Sequence, residues 1–499
     1  MTAQTYWAEH AWVDGSVRSD VVIVAAANGR ITAVVPGSPR PPAGSVTLRG
    51  LTLPGLANAH SHAFHRALRG VVQADGRTNG AANGAADGEN GGEPGAGTGA
   101  GTGAGTGAGT GDEANAQADQ RRKGGAPDSF WTWREVMYGV ADRLTPDSYF
   151  ELARAVYAEM AMAGITCVGE FHYLHHAPGG ARYGNPNAMG EALIAAAAEA
   201  GIRITLLDTC YLSSGFGAEP NEHQLRFSDG TAEAWAERVS GLKGDGNTRI
   251  GAAIHSVRAV PVDQLATVSG WADEHTAPLH VHLSEQTAEN DACVEAHGFT
   301  PTRLLADHGV LGPRTTAVHA THLTPGDIRL LGHAGTGVCM CPTTERDLAD
   351  GIGPAVELQS AGSPLSLGSD SHAVIDILEE ARAMELDERL RTRARGHWTA
   401  AQLLRAATAD GHAALGWGAE AGRIEVGALA DLTTIALDSV RTAGPPPRLG
   451  AETAVFAATS ADVRHTVVGG RHVVRDGAHQ LVPRVPQALA EAIEALHGP

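Results

Sequence analysis

The feature that most restricts the fold of this chain is an alternation of short apolar segments with alanine- and leucine-rich segments between residues 51 and 410. Apolar runs bounded by turn residues are typical of buried parallel strands, and the segments between them have the composition of helices. Eight such units predict an α/β fold, a (β/α)8 TIM-like barrel. The eight candidate strands are LTLPGLANAH, TCVGEFHYL, RITLLDTCY, TRIGAAIHSV, PLHVHLSE, TTAVHATHL, GVCMCPTTE and PLSLGSDSH.

The two ends of the chain differ from the barrel segment. Residues 1–50 and 411–499 contain short β-like stretches broken by glycine and proline, such as VVIVAAANGRITAVV with its Asn-Gly turn signal. Similar stretches in the second range read GRIEVGALADLTTIAL and TVVGGRHVVRDG. We therefore expect one small β-sandwich domain built from both ends, with a terminal helix, beside the barrel of residues 51–410.

Residues 74–128 form a glycine-rich insertion in the barrel segment, where positions 95–111 read GAGTGAGTGAGTGAGTG. Such a sequence has too little apolar surface to offset the entropy lost on ordering, so it predicts a disordered segment. Its position after the first barrel strand places it on the catalytic side of a barrel. A neutral, solvated expansion is favoured over a lid.

Charge and cysteine content exclude several classes of partner and compartment. The formal net charge is −19 at pH 7, so a phosphate backbone or an anionic membrane surface would be repelled. The five cysteines form no CxxC pair, which favours a reducing compartment over a disulfide framework. No basic residue precedes Arg18 and no long apolar stretch begins the sequence, so we expect a soluble cytoplasmic protein without nucleic-acid or membrane partners.

Ionisable side chains collect at the carboxyl ends of four candidate strands, where barrel enzymes place their catalytic groups. The imidazoles at positions 60 and 62 point to the same face because side chains alternate along a strand. Imidazoles with one carboxylate around an open position suit a hydrolytic divalent metal ion. The alternative is a set of core histidines bonded to the backbone, which agreement among four strand ends disfavours. The candidate residues are His60, His62, His280, His282, Glu285, His319, His322, Asp370 and His372.

These strand ends and one later segment resemble motifs of the amidohydrolase superfamily, and the resemblance covers the chain outside the insertion. The motifs are PGLANAHSH, PLHVHLSEQ, AVHATHL, LSLGSDSH and GRIEVGALADLTTI. The resemblance implies one divalent metal ion, whose ligands would be His60, His62, His282 and Asp370. It also implies catalytic roles for Glu285 as a proton shuttle and for His319 and Asp370 in orienting the attacking water.

Lysine usage bears on the number of metal ions. Superfamily members with two metals bridge them through a carboxylated lysine at the end of a middle strand. The chain has two lysines, of which Lys123 lies in the insertion and Lys243 follows a predicted helix. The resemblance therefore implies a mononuclear centre of the deaminase type. Histidine and carboxylate donors favour Zn²⁺ and leave Fe²⁺ open.

Six further segments resemble the formimidoylglutamate deiminases within that superfamily. They are DSFWTWREVMY, VGEFHYLHH, LLDTCYLSSGFG, RFSDGTAEAW, AAIHSVRAV and CPTTERDLADGIGP. The resemblance implies hydrolysis of N-formimino-L-glutamate to N-formyl-L-glutamate and ammonia, a reaction of histidine degradation, by a homodimer. The alternative enzyme is a deaminase of a guanidino or aminated-ring substrate, of the guanine or cytosine deaminase type. A non-catalytic assembly protein is disfavoured because every expected ligand is present.

A substrate with two carboxylates needs cationic partners, and a guanidinium group binds a carboxylate bidentately. Arg134 and Arg258 stand beside apolar or aromatic residues in segments expected near the barrel mouth, with surface ion pairs as the alternative. Tyr173 is expected to donate a third hydrogen bond and His255 to contact the formimino end. His65 stands where the resemblance leads us to expect glutamine, and a neutral imidazole still offers one donor and one acceptor.

Overall fold

The computed structural model describes residues 2–70 and 130–497. The insertion at residues 74–128 lies outside them, so its disorder stays a prediction. Packing divides the chain into a large unit, Met1–Ala67 with Gly139–Pro499, and a small unit, Leu68–Tyr138. The barrel strands and the strands of the two chain ends all belong to the large unit.

The strands of the described residues form two sheets of eight. In chain order they are β1 (Gln4–Val13), β2 (Ser16–Ala25), β3 (Ile31–Val35), β4 (Val46–Pro54), β5 (Leu56–Ser61), β6 (Ile165–His172), β7 (Arg203–Cys210), β8 (Thr248–Ile254), β9 (Leu279–Leu283), β10 (Thr315–His319), β11 (Gly337–Met340), β12 (Leu365–Leu367), β13 (Leu432–Ile435), β14 (Val463–Val468), β15 (Arg471–Arg475) and β16 (Ala478–His479).

Strands β5 to β12 form the barrel that the alternating pattern predicts. Each strand pairs in parallel with the next one along the chain. A parallel bridge between Ser61 and Asp370 brings the first and last strand together, so the barrel is nearly closed. Every residue of β6 and β7 is buried, as expected of parallel strands that are covered on both faces.

The first predicted barrel strand is in fact two strands of different sheets. β4 ends at Pro54 and pairs with β1 and β13, whereas β5 begins at Leu56 and pairs with β6. Between them, Gly55 passes so close to Thr166 that an added Cβ would lie 2.2 Å from its hydroxyl oxygen. A residue with a side chain cannot make this approach, so the change of sheet requires glycine.

Helices connect the barrel strands, and several begin at a side-chain cap. The hydroxyls of Thr145 and Thr324 accept hydrogen bonds from the backbone N–H groups three residues later. The α-helices are α1 (Phe130–Arg143), α2 (Pro146–Met162), α3 (Ala188–Ala200), α4 (Ala232–Val239), α5 (Leu265–Glu274), α6 (Thr287–His297), α7 (Pro301–Asp307), α8 (Pro325–Ala334), α9 (Pro342–Asp347), α10 (Ala355–Ala361), α11 (Ile377–Thr392), α12 (Ala400–Arg405), α13 (Gly411–Ala414), α14 (Gly450–Phe456) and α15 (Val485–His497). Among the described residues, no helix is both long and apolar enough to cross a membrane.

The two chain ends form the second sheet, as predicted for a small sandwich domain. Its strand order is β16-β15-β14-β13-β4-β1-β2-β3. The antiparallel pairing of β4 with β13 joins the N-terminal strands to the C-terminal ones. Tyr6, Ile23, Leu48 and Leu432 are among its buried core residues. The domain boundaries at residues 50 and 410 stay predictions.

Candidate active site

Three histidines and one aspartate meet at the carboxyl ends of barrel strands. His60 lies in β5, His62 directly follows it, His282 lies in β9 and Asp370 follows β12. The Nε2 atoms of His60 and His62 lie 3.3 and 3.4 Å from Asp370 Oδ1. His282 Nε2 lies 3.0 Å from His60 Nε2. The structure therefore brings together the four residues that the sequence predicts as metal ligands.

The hydrogen bonds of the Nδ1 atoms fix which nitrogen of the His62 and His282 rings faces this cluster. His62 Nδ1 lies 2.9 Å from the carbonyl oxygen of Phe171, and His282 Nδ1 lies 3.0 Å from that of His255. A carbonyl oxygen only accepts, so each Nδ1 carries the proton and each Nε2 presents a lone pair. Burial lowers the pKa of His62 to about 3 and the pKa of His282 well below its ordinary value. Both imidazoles are therefore neutral, as metal ligands must be.

The spacing of the donor atoms fits a small divalent cation. Zinc holds nitrogen and oxygen donors at roughly 2.0–2.2 Å, which places neighbouring donors of a tetrahedron about 3.3–3.6 Å apart. The observed distances from Asp370 Oδ1 to the Nε2 atoms of His60 and His62 fall in this range. His282 Nε2 presents a lone pair to His60 Nε2 at 3.0 Å, an approach that a cation or a proton between the two nitrogens would stabilise. The donor set therefore fits one divalent metal ion.

His319 lies beside the donor group, which we define as the ring nitrogens of His60, His62 and His282 with the carboxylate of Asp370. Its Nε2 lies 3.6 Å from Asp370 Oδ2 and 3.8 Å from Glu285 Oε1, and its Nδ1 lies 3.4 Å from Glu345 Oε1. One set of donor atoms within 4.8 Å of one another comprises His60, His282, His319 and Asp370. His319 can therefore approach both a metal ion and a water molecule beside it.

The acids of the site and His319 shift one another's pKa values. Burial raises the pKa of Glu285 to about 7, and His319 opposes that rise. Burial alone would lower the pKa of His319, but Glu285, Glu345 and Asp370 together hold it well above its ordinary value. Asp370 is also buried, yet the hydrogen bond from His60 keeps its pKa well below its ordinary value. A carboxyl group that titrates near neutrality beside an imidazole suits proton transfer.

Left-handed backbone conformations cluster where the strands end. Ser284, His319, Ala320, Asp370 and His372 have φ values of 52, 67, 51, 42 and 58°. Such a conformation costs a residue with a side chain roughly 1–3 kcal/mol and persists only where the surroundings impose it. This kind of strain concentrates at functional sites, and here it marks the carboxyl ends of β9, β10 and β12.

Three predicted substrate-binding residues lie beside the predicted metal ligands. His65 Nε2 lies 3.2 Å from the hydroxyl oxygen of Tyr173. The ring of Tyr173 lies 5.4 Å from that of His62 and 5.5 Å from that of His255. The ring of His255 lies 5.1 Å from that of His282. His65, Tyr173 and His255 thus line one side of the donor group.

The two arginines predicted to bind the substrate make different contacts. Arg258 Nε lies 3.6 Å from Glu289 Oε2, and the arginine side chain is 23% exposed. Glu289 also accepts a hydrogen bond of 3.3 Å from the backbone N–H of Ser284. Arg134 belongs to the small unit, where its Nε donates to the hydroxyl of Tyr138 at 2.6 Å. Substrate contact by Arg134 stays a prediction.

The lysine that the structure describes does not reach the metal ligands. Lys243 is exposed in the loop that precedes β8, at the opposite end of that strand from the predicted site residues. Lys123 lies outside the described residues. Within the described part of the chain, the donor group therefore consists of imidazoles and carboxylates alone.

Sequence reasoning missed two buried glutamates of the site, Glu345 and Glu289. Glu345 Oε1 faces His319 and also accepts from the backbone N–H of Cys341 at 2.9 Å. Glu345 lies in the segment CPTTERDLADGIGP, and Glu289 follows Glu285 by four residues. Both positions fall in the first turn of a helix, where acidic residues are common without any function. Only their contacts in the folded structure distinguish these two glutamates from ordinary acidic residues at helix starts.

A second buried cluster contains His172, His175 and Asp208. Asp208 accepts from Arg238 NH2 and NH1 at 2.7 and 2.9 Å, and from Trp235 Nε1 at 2.9 Å. The guanidinium already balances the charge of this carboxylate and occupies both of its oxygens. The cluster is therefore a closed ion-pair network, unlike the open donor group at the strand ends.

Comparison with known proteins agrees with this architecture. Residues 51–473 match the model of the amidohydrolase family. The chain is 33% identical over 464 residues to a formimidoylglutamate deiminase of Pseudomonas aeruginosa, which covers 91% of each chain. It is also 33% identical over 360 residues to an 8-oxoguanine deaminase of the same organism, covering 69% of this chain and 76% of the relative.

Solved structures share the fold. An amidohydrolase from Brucella melitensis has a TM-score of 0.82 at 30% identity, covering 99% of this chain and 100% of that one. An adenosine deaminase from Xanthomonas campestris with bound zinc has a TM-score of 0.74 at 22% identity, covering 98% of this chain and 97% of that one. Because the family model spans most of the sequence and the barrel is shared, the chain belongs to the amidohydrolase family.

Proposed function

We propose that the chain is a metal-dependent deiminase that hydrolyses N-formimino-L-glutamate to N-formyl-L-glutamate and ammonia in the degradation of histidine. The observation that carries the proposal is the similarity to a formimidoylglutamate deiminase along 91% of both chains. The similarity to the 8-oxoguanine deaminase covers a smaller part, 69% of this chain. Homodimer formation and a cytoplasmic location are further predictions of this proposal.

The residues predicted to bind the substrate suit a linear molecule with two carboxylates. Arg258 is proposed to bind one carboxylate and Arg134 the other, because a guanidinium pairs with a carboxylate through two parallel hydrogen bonds. Tyr173 and His65 are proposed to hold the substrate by hydrogen bonds, and His255 to contact the formimino group. A purine ring would instead need a stacking surface and ring-edge partners.

One divalent ion is proposed at the donor group, with Zn²⁺ favoured by its imidazole and carboxylate donors and Fe²⁺ as the alternative. Its ligands would be His60, His62, His282 and Asp370. When bound, the ion would supply Lewis-acid activation of water, so that hydroxide is available near neutral pH.

The catalytic residues would then move two protons. Glu285 takes a proton from the attacking water while the water oxygen forms a bond to the formimino carbon. His319 donates a hydrogen bond to this oxygen in the tetrahedral intermediate, and Asp370 orients the water before attack. Glu285 delivers this proton to the terminal nitrogen, then takes the hydroxyl proton of the intermediate and passes it to the same nitrogen, so that the carbon–nitrogen bond breaks and ammonia leaves. The new oxygen stays on the carbon as the formyl group.

The test is ammonia release from N-formimino-L-glutamate, with N-formimino-L-aspartate, guanine, 8-oxoguanine and cytosine in parallel. Each assay is run on the purified chain, after chelation and after restoring Zn²⁺. We expect turnover of N-formimino-L-glutamate that chelation abolishes and Zn²⁺ restores. Turnover of a purine or pyrimidine without turnover of the formimino substrate would contradict the proposal.

A further inference from the structure

We propose that Glu170 is a positioning residue that fixes the spacing of the two segments bearing metal ligands, through a directed chain of hydrogen bonds beneath them. The inference rests on the metal centre proposed above and concerns residues that do not touch the ion. Glu170 lies in β6 and is fully buried. It faces the segment that carries His60 and His62.

Glu170 binds this segment at two points. Its Oε2 accepts from the hydroxyl of Ser61 at 2.7 Å, and its Oε1 accepts from the backbone N–H of Ala63 at 2.7 Å. Ser61 precedes His62 and Ala63 follows it. Hydrogen bonds to a carboxylate are about twice as strong as neutral ones, so this one side chain fixes the backbone on both sides of the ligand.

Further hydrogen bonds extend from Ser61 to the segment that contains Asp370. Ser61 Oγ lies 3.1 Å from His372 Nε2, and His372 Nδ1 lies 2.9 Å from Ser369 Oγ. Asn58 Nδ2 donates to Ser369 Oγ at 2.7 Å, and Asn58 Oδ1 accepts from the backbone N–H of Ser369 at 2.9 Å. Asn58, Ser61, Ser369 and His372 are fully buried, as Glu170 is.

The direction of this chain follows from its two ends. The amide nitrogen of Asn58 only donates, so Ser369 Oγ accepts from it, and among the described residues His372 Nδ1 is the acceptor placed to take the hydroxyl proton of Ser369. His372 then carries its own proton on Nε2 and donates it to Ser61. The hydroxyl proton of Ser61 in turn goes to Glu170. The two oxygens of the Glu170 carboxylate accept both the Ser61 hydroxyl and the N–H of Ala63.

This series of hydrogen bonds therefore connects the two backbone segments from which most of the proposed ligands project. The same segments also pair directly, since Asp370 N–H donates to the His60 carbonyl at 3.0 Å and His62 N–H donates to the Asp370 carbonyl at 3.3 Å. Groups that orient metal ligands from behind usually contribute about 10- to 100-fold to metal affinity. Glu170 ends this series of hydrogen bonds, so its two accepting oxygens maintain the orientation of every hydroxyl and imidazole within it.

Glu170→Gln and Ser61→Ala test this role. Glutamine keeps the shape of the side chain but replaces one acceptor by a donor. Either its amide then faces the N–H of Ala63, or the hydrogen bonds reverse and the hydroxyl proton of Ser369 loses His372 Nδ1 as its acceptor. We expect the dissociation constant for Zn²⁺, measured on the metal-free chain by competition with a chromogenic chelator, to rise about 10- to 100-fold in each variant. In the double variant the two increases in the dissociation constant should not multiply, because both substitutions break the same series of hydrogen bonds.

Glu380→Gln is the matched control. Glu380 is also a fully buried carboxylate that accepts from one backbone N–H and one hydroxyl, both of Thr343. We expect its Zn²⁺ affinity to stay within about twofold of wild type. Near-UV circular dichroism and unfolding curves of the metal-free chains identify a variant that fails to fold. If Glu170→Gln fails in this way, Ser61→Ala decides the test.

Wild-type Zn²⁺ affinity in the folded variants overturns the inference, and so do effects that multiply in the double variant. A wild-type chain that binds no Zn²⁺ overturns the metal centre and this inference together. A wild-type chain that binds Zn²⁺ but releases no ammonia from N-formimino-L-glutamate overturns the proposed substrate alone. The affinity measurements then still decide the role of Glu170.

Discussion

Glu285 and His319 lie 3.8 Å apart, from Oε1 to Nε2, and each is held in an environment that changes its protonation. Burial raises the pKa of Glu285 to about 7, while the acids around His319 keep its pKa well above its ordinary value. The imidazole therefore stays a hydrogen-bond donor under conditions where the carboxyl group gains and loses a proton. This division of roles favours Glu285 as the proton shuttle.

Replacing Glu285 by glutamine tests the shuttle. Glutamine has nearly the same size but cannot accept the proton of water, so we expect turnover to fall about 10²- to 10⁴-fold. The Zn²⁺ content, measured by elemental analysis, should equal that of wild type because Glu285 is not among the proposed ligands. Near-normal turnover with Zn²⁺ bound would show that another group moves the proton.

The pH dependence of activity follows from the raised pKa of Glu285. Below that pKa, which burial raises to about 7, the carboxyl group is protonated and cannot act as a base. We expect kcat/KM to fall about tenfold for each pH unit on the acidic side. The measurement is a profile of kcat/KM on N-formimino-L-glutamate from about pH 5 to pH 9. A profile that stays flat to pH 5 contradicts the assignment.

Arg258→Gln tests recognition of a substrate carboxylate. Loss of a charge-assisted, bidentate partner should raise KM roughly 10- to 100-fold, with a smaller effect on kcat. Arg314→Gln is a suitable control, because Arg314 is a partly exposed arginine paired with Asp273. Steady-state kinetics of both variants separate KM from kcat. Equal KM values for the two variants would exclude a substrate contact by Arg258.

At the scale of elements, buried polar groups connect strands to the loops that follow them. Arg238 of α4 binds Asp208 of β7 and also Asp229, whose carboxylate lies 2.9 Å from its Nε. Asp229 in turn lies 3.0 Å from His176 Nε2, in the loop after β6 that also carries Tyr173. The ion-pair network thus anchors the loop that presents a proposed substrate-binding residue.

Arg238→Met removes the cation from this network. Two buried carboxylates then lack their partner, so we expect the free energy of unfolding in urea at neutral pH to fall by about 3–5 kcal/mol. Arg303→Gln, which breaks an exposed pair with Asp307, should change stability little. A variant as stable as the Arg303 control would contradict the structural role of Arg238.

The same network makes stability depend on pH. Burial raises the pKa of Asp208, but Arg238 outweighs it and lowers the pKa from 3.8 to about 2. A depressed carboxyl pKa adds stability that is complete above about pH 4 and is lost as the pH falls through about 2. The stability difference between wild type and Arg238→Met should therefore narrow from about pH 5 to pH 2. Urea unfolding curves across this range provide the measurement.

At the scale of the whole molecule, a metal ion would connect distant parts of the barrel. The donors come from β5, from β9 and from the segment after β12. An ion that binds only the folded chain adds stability of about 2.7 kcal/mol when its free concentration is 100 times its dissociation constant. Chelation should therefore lower Tm by several degrees, and Zn²⁺ should restore it.

Differential scanning calorimetry with and without chelator measures this shift. Asp370→Asn removes the one carboxylate among the proposed ligands, so its Tm should respond much less to Zn²⁺. An equal response in this variant and in wild type would mean that Zn²⁺ stabilises the chain at another place.

The barrel could be predicted from the sequence because parallel strands covered on both faces form continuous apolar runs. The segment TCVGEFHYL, for example, corresponds to β6, in which every residue is buried. The boundary between β4 and β5 could not be predicted, because both strands are apolar and Gly55 also fits an ordinary turn. The contact of Gly55 with Thr166, which separates the two sheets, involves residues far apart in the chain.

The sequence by itself predicted that ionisable side chains gather at the strand ends, because alternation along a strand places the imidazoles of His60 and His62 on one face and barrel topology brings the strand ends together. The assignment of His60, His62, His282 and Asp370 as metal ligands came from the family resemblance and stays a prediction. Only the tertiary structure decided which ring nitrogen of His62 and of His282 faces the cluster, since that depends on the carbonyl oxygens of Phe171 and His255. It alone also revealed Glu170 beneath His62. These contacts join strands that are distant in sequence, and their distances and directions exist only after the barrel has closed.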